Sequence, residues 1–165
     1  MSEHDPRNRH GQNRPAYDED YAAWIGVQLD LLRAHRFSEL DIDNLAEEVS
    51  DLGASSFKAF VSAIRIVLLH MIKWDIQEDY RSRSWSNSID EHRRRLSDEL
   101  EASPSYQARI DSAVMLAYRQ ARTEAAAETR LPLRSFAENC PYGWDEIQHR
   151  THDLAGDTPT LTGQI

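Results

Sequence analysis

Cysteine, glycine and proline are all scarce in this chain of 165 residues. The single cysteine, Cys140, excludes an internal disulfide and is typical of a reducing compartment. The six glycines are scattered, and the sequence contains no Gly-rich phosphate loop and no Gly-x-Ser-x-Gly nucleophile motif. These absences remove the usual signatures of nucleotide binding and of nucleophilic hydrolysis.

Long hydrophobic runs are missing as well. The longest runs, such as IVLL at 66–69, fall far short of the ~20 apolar residues that a membrane-spanning helix needs. The N-terminal segment has no apolar stretch of the kind found in a secretory signal. We therefore expect a soluble, cytoplasmic protein with no membrane partner.

Basic residues are outnumbered, since 28 acidic residues against 19 basic ones give a formal net charge of -9. Nucleic-acid binding needs a positive surface, which this balance argues against. The run DEHRRRLSDE at 90–99 looks basic, but its charges alternate in sign at i,i+4 spacing and neutralise one another on a helix. We expect no nucleic-acid partner.

What the sequence does contain is a three-four repeat of apolar residues, which is typical of amphipathic helices. Gly53 is expected to close or bend the second of these helices. No alternating strand pattern is present. The repeat predicts five helices and a short sixth, at about 18–32, 41–52, 55–77, 84–102, 105–129 and 144–150.

The fold class predicted from this pattern is all-α, as a single-domain bundle of about five helices plus a short C-terminal helix. The helical domain is expected to span 17–150. Polar, non-periodic residues on either side predict a mobile N-terminal arm at 1–16 and a flexible C-terminal tail at 151–165.

The most apolar helix carries His70 and Lys73. At 100° per residue, His70 falls at the border of the apolar stripe, and Lys73 falls on the opposite, polar side. We expect Lys73 to be solvated or to snorkel toward water, and the two side chains not to share a cavity. For His70 two interpretations remain open. It is a hydrogen-bonded structural histidine, or a ligand-binding group that changes charge near pH 6.5.

Glu48 flanks the apolar stripe of the preceding helix. We expect it to be partly buried and to contact a basic group, with His70, Arg83 and Arg93 as candidates. Glu48, His70 and His92, which come from three helices, could in principle converge on a metal ion, but the sequence has no His-Glu-x-x-His motif. We therefore predict no metal and no cofactor.

Arg81 and Arg83 lie between two tryptophans, Trp74 and Trp85, in a short connection between helices. The tryptophans are expected to be buried as a packing clamp. The arginines could lie over these rings or pair with nearby carboxylates. They could also form an anion site at the start of the next helix, beside His70.

Several stretches in order, YDEDYAAWIGVQLDLLRAHRFSELDIDNLAEEVSDLG, LLHMIKWDIQ, RSRSWSNSIDEHRRRL and TRLPLRSFAENCPYGWDEI, resemble the bacterial family called domain of unknown function 29. The resemblance spans about 17–148. It implies a compact all-helical bacterial protein, and it carries no established activity. His92 stands where the family pattern leads us to expect glutamine, which weakens the metal hypothesis further.

The leading functional hypothesis is a non-enzymatic binding module for a protein partner or a small anionic ligand. Its candidate ligand-binding residues are Glu48, His70, Arg81, Arg83 and Arg93. The alternative is an enzyme or metal-binding protein with a polar site around Glu48, His70, Arg83 and Arg93. Oligomeric state is left open by the sequence.

Overall fold

The computed structural model describes residues 15–154. Apart from 15–16 and 151–154, the arm and tail predicted from the sequence lie outside the described residues. Over the range that is described, the chain is built from α-helices and short 3-10 turns, with no strand. The all-α fold class is confirmed.

Five α-helices form this part of the chain. They are α1 (Tyr21–Arg33), α2 (Ile42–Ile76), α3 (Arg83–Ala102), α4 (Ile110–Thr129) and α5 (Trp144–His149). Single 3-10 turns lie in the connections, the longest being Pro104–Arg109 before α4. Four of the six predicted helices match single helices of the structure, to within a few residues at each end.

The second and third predicted helices are one continuous helix, α2, which passes through Gly53. Glycine lowers helix propensity but does not break the backbone hydrogen bonding of a helix, as proline does. A Cβ atom at Gly53 would meet nothing within 4 Å. Gly53 therefore lies inside α2 and does not end it.

The chain divides into two compact units, one that ends at Gly53 and one that begins at Ala54. In the first unit, the Asp20 side chain caps α1 by accepting a hydrogen bond from the Ala23 amide at 3.0 Å. Trp24 is buried, and its indole N–H donates to Asp41 at 3.1 Å. The Asp41 amide in turn donates to the buried Gln28 side chain at 2.9 Å. These bonds hold α1 against the start of α2.

The second unit has its core around the C-terminal part of α2. Most residues of α2 from Phe60 to Trp74 are buried, on more than one side of the helix. Ile89 and Leu96 of α3 pack against it, together with a face of fully buried alanines on α4: Ala113, Ala117, Ala121 and Ala125. Alanine lets helix backbones approach closely, so α2 is enclosed by its neighbours.

By length and composition, α2 also contains a segment that is long and apolar enough to cross a membrane. Counting unbroken apolar runs missed this segment, because isolated polar residues interrupt it. The central helix of a water-soluble protein passes the same test, and the second half of α2 lies in the core described above. Core packing is enough to account for its apolar composition.

Replacing Gly53 with alanine is expected to raise the free energy of unfolding by about 0.5–1 kcal/mol, because alanine is the better helix former and the space is open. Urea denaturation followed by circular dichroism measures the change. The matched control is Ala54→Gly, in the next position of the same helix, which should destabilise by a similar amount. A loss of stability in Gly53→Ala would contradict an uninterrupted helix at this point.

Candidate functional site

Lys73 is buried, with 9% of its surface exposed. Its Nζ donates to Glu128 Oε2 of α4 at 2.6 Å and lies 4.4 Å from the centre of the Trp85 ring of α3. The prediction of a solvated Lys73 was therefore wrong. A helical wheel assumes one buried face, whereas the last turns of α2 are covered on the polar side as well.

His70 lies one turn before Lys73, half-buried, with its ring centre 6.3 Å from that of Trp85. His70 and Lys73 both lie beside the Trp85 indole, and the expectation that they do not share a cavity stays a prediction. Burial, followed by the nearby charge of Lys73, lowers the pKa of His70 to about 4. The imidazole is thus neutral near pH 7, contrary to the expected change of charge near pH 6.5.

Arg81 closes the C-terminal end of α2. Its Nε donates to the Trp74 carbonyl at 2.8 Å, its Nη1 lies 3.2 Å from Glu78, and its guanidinium lies 5.4 Å from the centre of the Trp74 ring. Trp74 is buried and Trp85 is half-buried, as a packing clamp requires. Arg83, the first residue of α3, is exposed. For Arg81 the structure thus supports packing and ion pairing rather than an anion site.

Arg93 closes the C-terminal end of α5, as Arg81 closes that of α2. From α3 it donates to the carbonyls of Ile147, Arg150 and Glu146, at 2.7, 2.8 and 3.1 Å. The last carbonyls of a helix have no partner within the helix, and a forked cation is well suited to bind them. Burial lowers the pKa of Arg93 from its usual value. Its donors are occupied by backbone, so Arg93 is not available as an open ligand group.

Glu48 is partly buried, as predicted, but its partners are not basic. The hydroxyls of Tyr17 and Tyr21 donate to its two carboxylate oxygens, each at 2.6 Å. These bonds lower the pKa of Glu48 and raise that of Tyr17 to about 12. The compensation that we expected from a cation is supplied by two tyrosines of the same unit. The expected contact with a basic group was wrong.

A second network was missed by sequence reasoning. The Asp75 carboxylate accepts a hydrogen bond from the Tyr142 hydroxyl at 2.8 Å and a bidentate pair from Arg150. The hydrogen bonds from Arg150 and Tyr142 offset burial and lower the pKa of Asp75. Next to this network His152 is buried, with its ring at 90° to that of Trp74. The sequence had placed His152 in the flexible tail, whereas the side chain packs in the second unit.

A cavity of about 650 Å³ lies in the second unit, between α4 and the segment 138–144. Its apolar wall is formed by Ile110, Val114, Met115, Leu116 and Trp144. Two arginines one turn apart on α4, Arg119 and Arg122, line the same cavity. Sequence reasoning assigned no site to the residues around this cavity. The signal that could have indicated one is the i,i+3 spacing of the arginines.

The two arginines of this cavity differ in their hydrogen-bond partners. Arg122 donates to the carbonyls of Leu133 and Phe136, each at 3.2 Å, and so holds the loop. The Arg119 side chain is exposed and makes no hydrogen bond or ion pair with the described residues. Burial raises the pKa of the Cys140 thiol on the cavity wall, which disfavours the reactive thiolate. The cavity is therefore equipped for binding rather than for nucleophilic attack.

Metal ligation has no support in the part of the chain that the structure describes. No group of three or more His, Cys, Asp or Glu side chains there is placed to hold a metal ion. His92, the histidine considered for such a site, donates instead through Nδ1 to the Ser88 carbonyl of its own helix at 2.9 Å. The His92 ring is thus hydrogen-bonded within its own helix.

Comparison with known proteins gives one match. A family model described as domain of unknown function DUF29 matches residues 16–152. No curated protein and no solved structure matches this chain. The match ends at His152, the buried histidine that packs on Trp74.

Arg93→Ala is expected to lower the free energy of unfolding by ~2–4 kcal/mol, because three carbonyls in a partly buried place lose a charged donor. Arg93→Lys should recover little of this loss, since an ammonium cannot reproduce the fork. The measurement is chemical denaturation. Arg94→Ala, a neighbouring exposed arginine, is the control and should change stability by less than about 0.5 kcal/mol.

Stability is expected to fall as the pH drops from about 6.5 to about 4. Burial lowers the pKa of both His70 and His152 to about 4, so the unfolded chain takes up protons first, at its ordinary histidine pKa of 6.5. His152→Leu should flatten this part of a plot of unfolding free energy against pH. His149→Leu, which changes an exposed histidine, should leave the slope unchanged. An identical slope in both variants would contradict the buried, neutral state of His152.

Proposed function

Since the chain belongs to the domain of unknown function DUF29 family, whose description names no activity, we propose a function from the geometry: this protein is a binding module for a small organic carboxylate. The observation that supports the proposal is the cavity beside α4, with its apolar wall and the uncommitted guanidinium of Arg119. Of the two alternatives in the leading hypothesis from the sequence, a protein partner or a small anionic ligand, we propose the second. The site moves away from Glu48, His70, Arg81, Arg83 and Arg93.

The apolar wall supports a ligand with a hydrophobic body. A volume of about 650 Å³ is within the range of pockets that take small organic molecules. Trp144, Val114 and Met115 offer aromatic and aliphatic surface on which such a body can be desolvated. A fully hydrated inorganic anion would gain nothing from this surface.

The charges around the cavity favour a single carboxylate over a phosphate. Arg119 and Arg122 are opposed by Asp111 and Glu138, which also line the cavity, so the four charges sum to zero. A phosphate of two negative charges would be repelled by both carboxylates. A carboxylate carries one negative charge, and its geometry matches the forked donors of arginine.

No catalytic step is part of this proposal. The half-buried thiol of Cys140 is held in its protonated form, and the forked donors of Arg93 and the carboxylate of Glu48 are committed to partners. The sequence hypothesis of an enzyme or metal-binding protein around Glu48, His70, Arg83 and Arg93 gains no support from these contacts. Binding is the role that the open cavity supports.

The test is isothermal titration of the full chain with phenylacetate, indole-3-acetate and octanoate, each against its uncharged methyl ester. We expect at least one acid to bind and its ester to bind at least about tenfold more weakly, since a charge-assisted pair contributes ~1.5–3 kcal/mol. Arg119→Glu should weaken binding of the acid by about tenfold or more.

The control is Arg134→Glu, which makes the same charge change at an exposed arginine outside the cavity. It should change the affinity by less than about twofold if only distant, screened charge is altered. If the two variants weaken binding equally, the loss of affinity comes from the change in net charge and not from the Arg119 side chain. Equal binding of acids and esters, or no binding of any probe, would contradict the proposal.

A further inference from the structure

The outer face of α1 carries four large apolar side chains that remain exposed. Tyr21 is 46% exposed, and Ile25, Leu29 and Leu32 are each 41% exposed. Their spacing of four, four and three residues places them on one stripe of the helix, which we name the α1 stripe. Trp24 and Leu31, on the neighbouring face, are buried. The apolar surface of α1 is therefore wider than its own unit covers.

A groove runs beside this stripe. It has a volume of about 230 Å³ and lies between α1 and the beginning of α2, with Leu45 and Glu48 on the α2 side. Apart from Gln28 and Glu48, its lining is apolar. A large aliphatic side chain brought against the α1 stripe would find space in this groove.

Charge is distributed unevenly along α1. Asp18, Glu19 and Asp20 lie at its N-terminal end, and Arg33 lies in its last turn. Asp18, Glu19 and Arg33 make no ion pair with the described residues. One end of the stripe is thus acidic, and the other end is basic.

From this pattern we propose that the α1 stripe is the contact between two copies of this chain, with the two α1 helices antiparallel about a twofold axis. In that arrangement Ile25 of one copy lies beside Leu29 of the other, because the axis passes between these two positions. The acidic end of each helix then meets Arg33 of the other. A twofold contact must be complementary to itself, and an apolar stripe with opposite charges at its ends meets that condition.

Small residues on one side of the stripe fit the same arrangement. Ala22 and Gly26 are both exposed, and a Cβ at Gly26 would meet nothing within 4 Å. Glycine inside a helix weakens that helix, so Gly26 is unfavourable for an isolated α1. Against a second helix, Ala22 and Gly26 allow the backbones to approach closely.

The charges at the ends of α1 favour a second copy of this chain, rather than an unrelated protein, as the partner of the α1 stripe. The net charge of -9 makes two chains repel each other in most orientations. Antiparallel α1 helices place opposite charges together at both ends, whereas parallel ones would place like charges together. The stripe is short, so the dimer is reversible and forms as concentration rises.

Sedimentation of the full chain over a range of concentrations tests the contact. We expect a monomer–dimer equilibrium, and Leu29→Asp should remove the dimer. Leu133→Asp, at an apolar residue of the second unit that is 44% exposed, is the matched control and should leave the dimer unchanged. A chain that is monomeric at every concentration, or a dimer that survives Leu29→Asp, would overturn the proposal.

Charge reversal tests the orientation without touching the apolar stripe. Asp18→Lys and Arg33→Glu should each weaken self-association by about fivefold or more, because like charges then meet at both ends. Mixing the two variants should restore dimers, since each acidic end again meets a basic one. If each variant dimerises as well as the native chain, or if the mixture does not recover, the antiparallel arrangement is wrong. Neither result depends on the carboxylate cavity, which lies in the other unit.

Discussion

Desolvation at the C-terminal end of α2 is the constraint on which the second unit depends. Residues 71–74 of this helix are buried, so a charged group there is costly unless another element supplies a partner. Lys73 is paired with Glu128 and covered by Trp85, and Asp75 is bound by Arg150 and Tyr142. The partners come from α3, from α4 and from the residues that flank α5 on either side. Satisfying one helix end therefore ties α3, α4 and the residues around α5 to it.

Arginine performs much of this work by binding backbone carbonyls rather than carboxylates. Arg81 closes α2, Arg93 closes α5, and Arg122 holds the loop that follows α4. Each of them bonds carbonyls at the end of a helix or in a loop, where the hydrogen bonding of a regular helix is incomplete. A lysine has no planar fork with which to bridge two or three such oxygens. Arg119 stands apart as a guanidinium on the same helix without such a commitment, and this contrast supports a ligand site at its cavity.

Periodicity was enough to predict the all-α class and most helix positions, because apolar spacing reports directly on helix faces. It failed where two helices join through Gly53, since glycine is a weak signal that a continuous hydrogen-bonded helix overrides. It also failed at Lys73, because one helix cannot reveal how many neighbours surround it. The half-buried position of Glu48 was predictable from its place on the wheel. Its tyrosine partners, at sequence separations of 27 and 31 residues, were not.

The bond between Asp75 and Arg150 joins positions 75 residues apart in sequence. During synthesis on the ribosome, α2 emerges long before the segment that neutralises its last turn. Until the chain has been made as far as His152, the end of α2 exposes an unpaired carboxylate and the face of Trp74 that this histidine covers. Contacts between such distant positions slow folding. The second unit of this protein therefore reaches its native packing only after nearly all of its described chain has left the ribosomal tunnel.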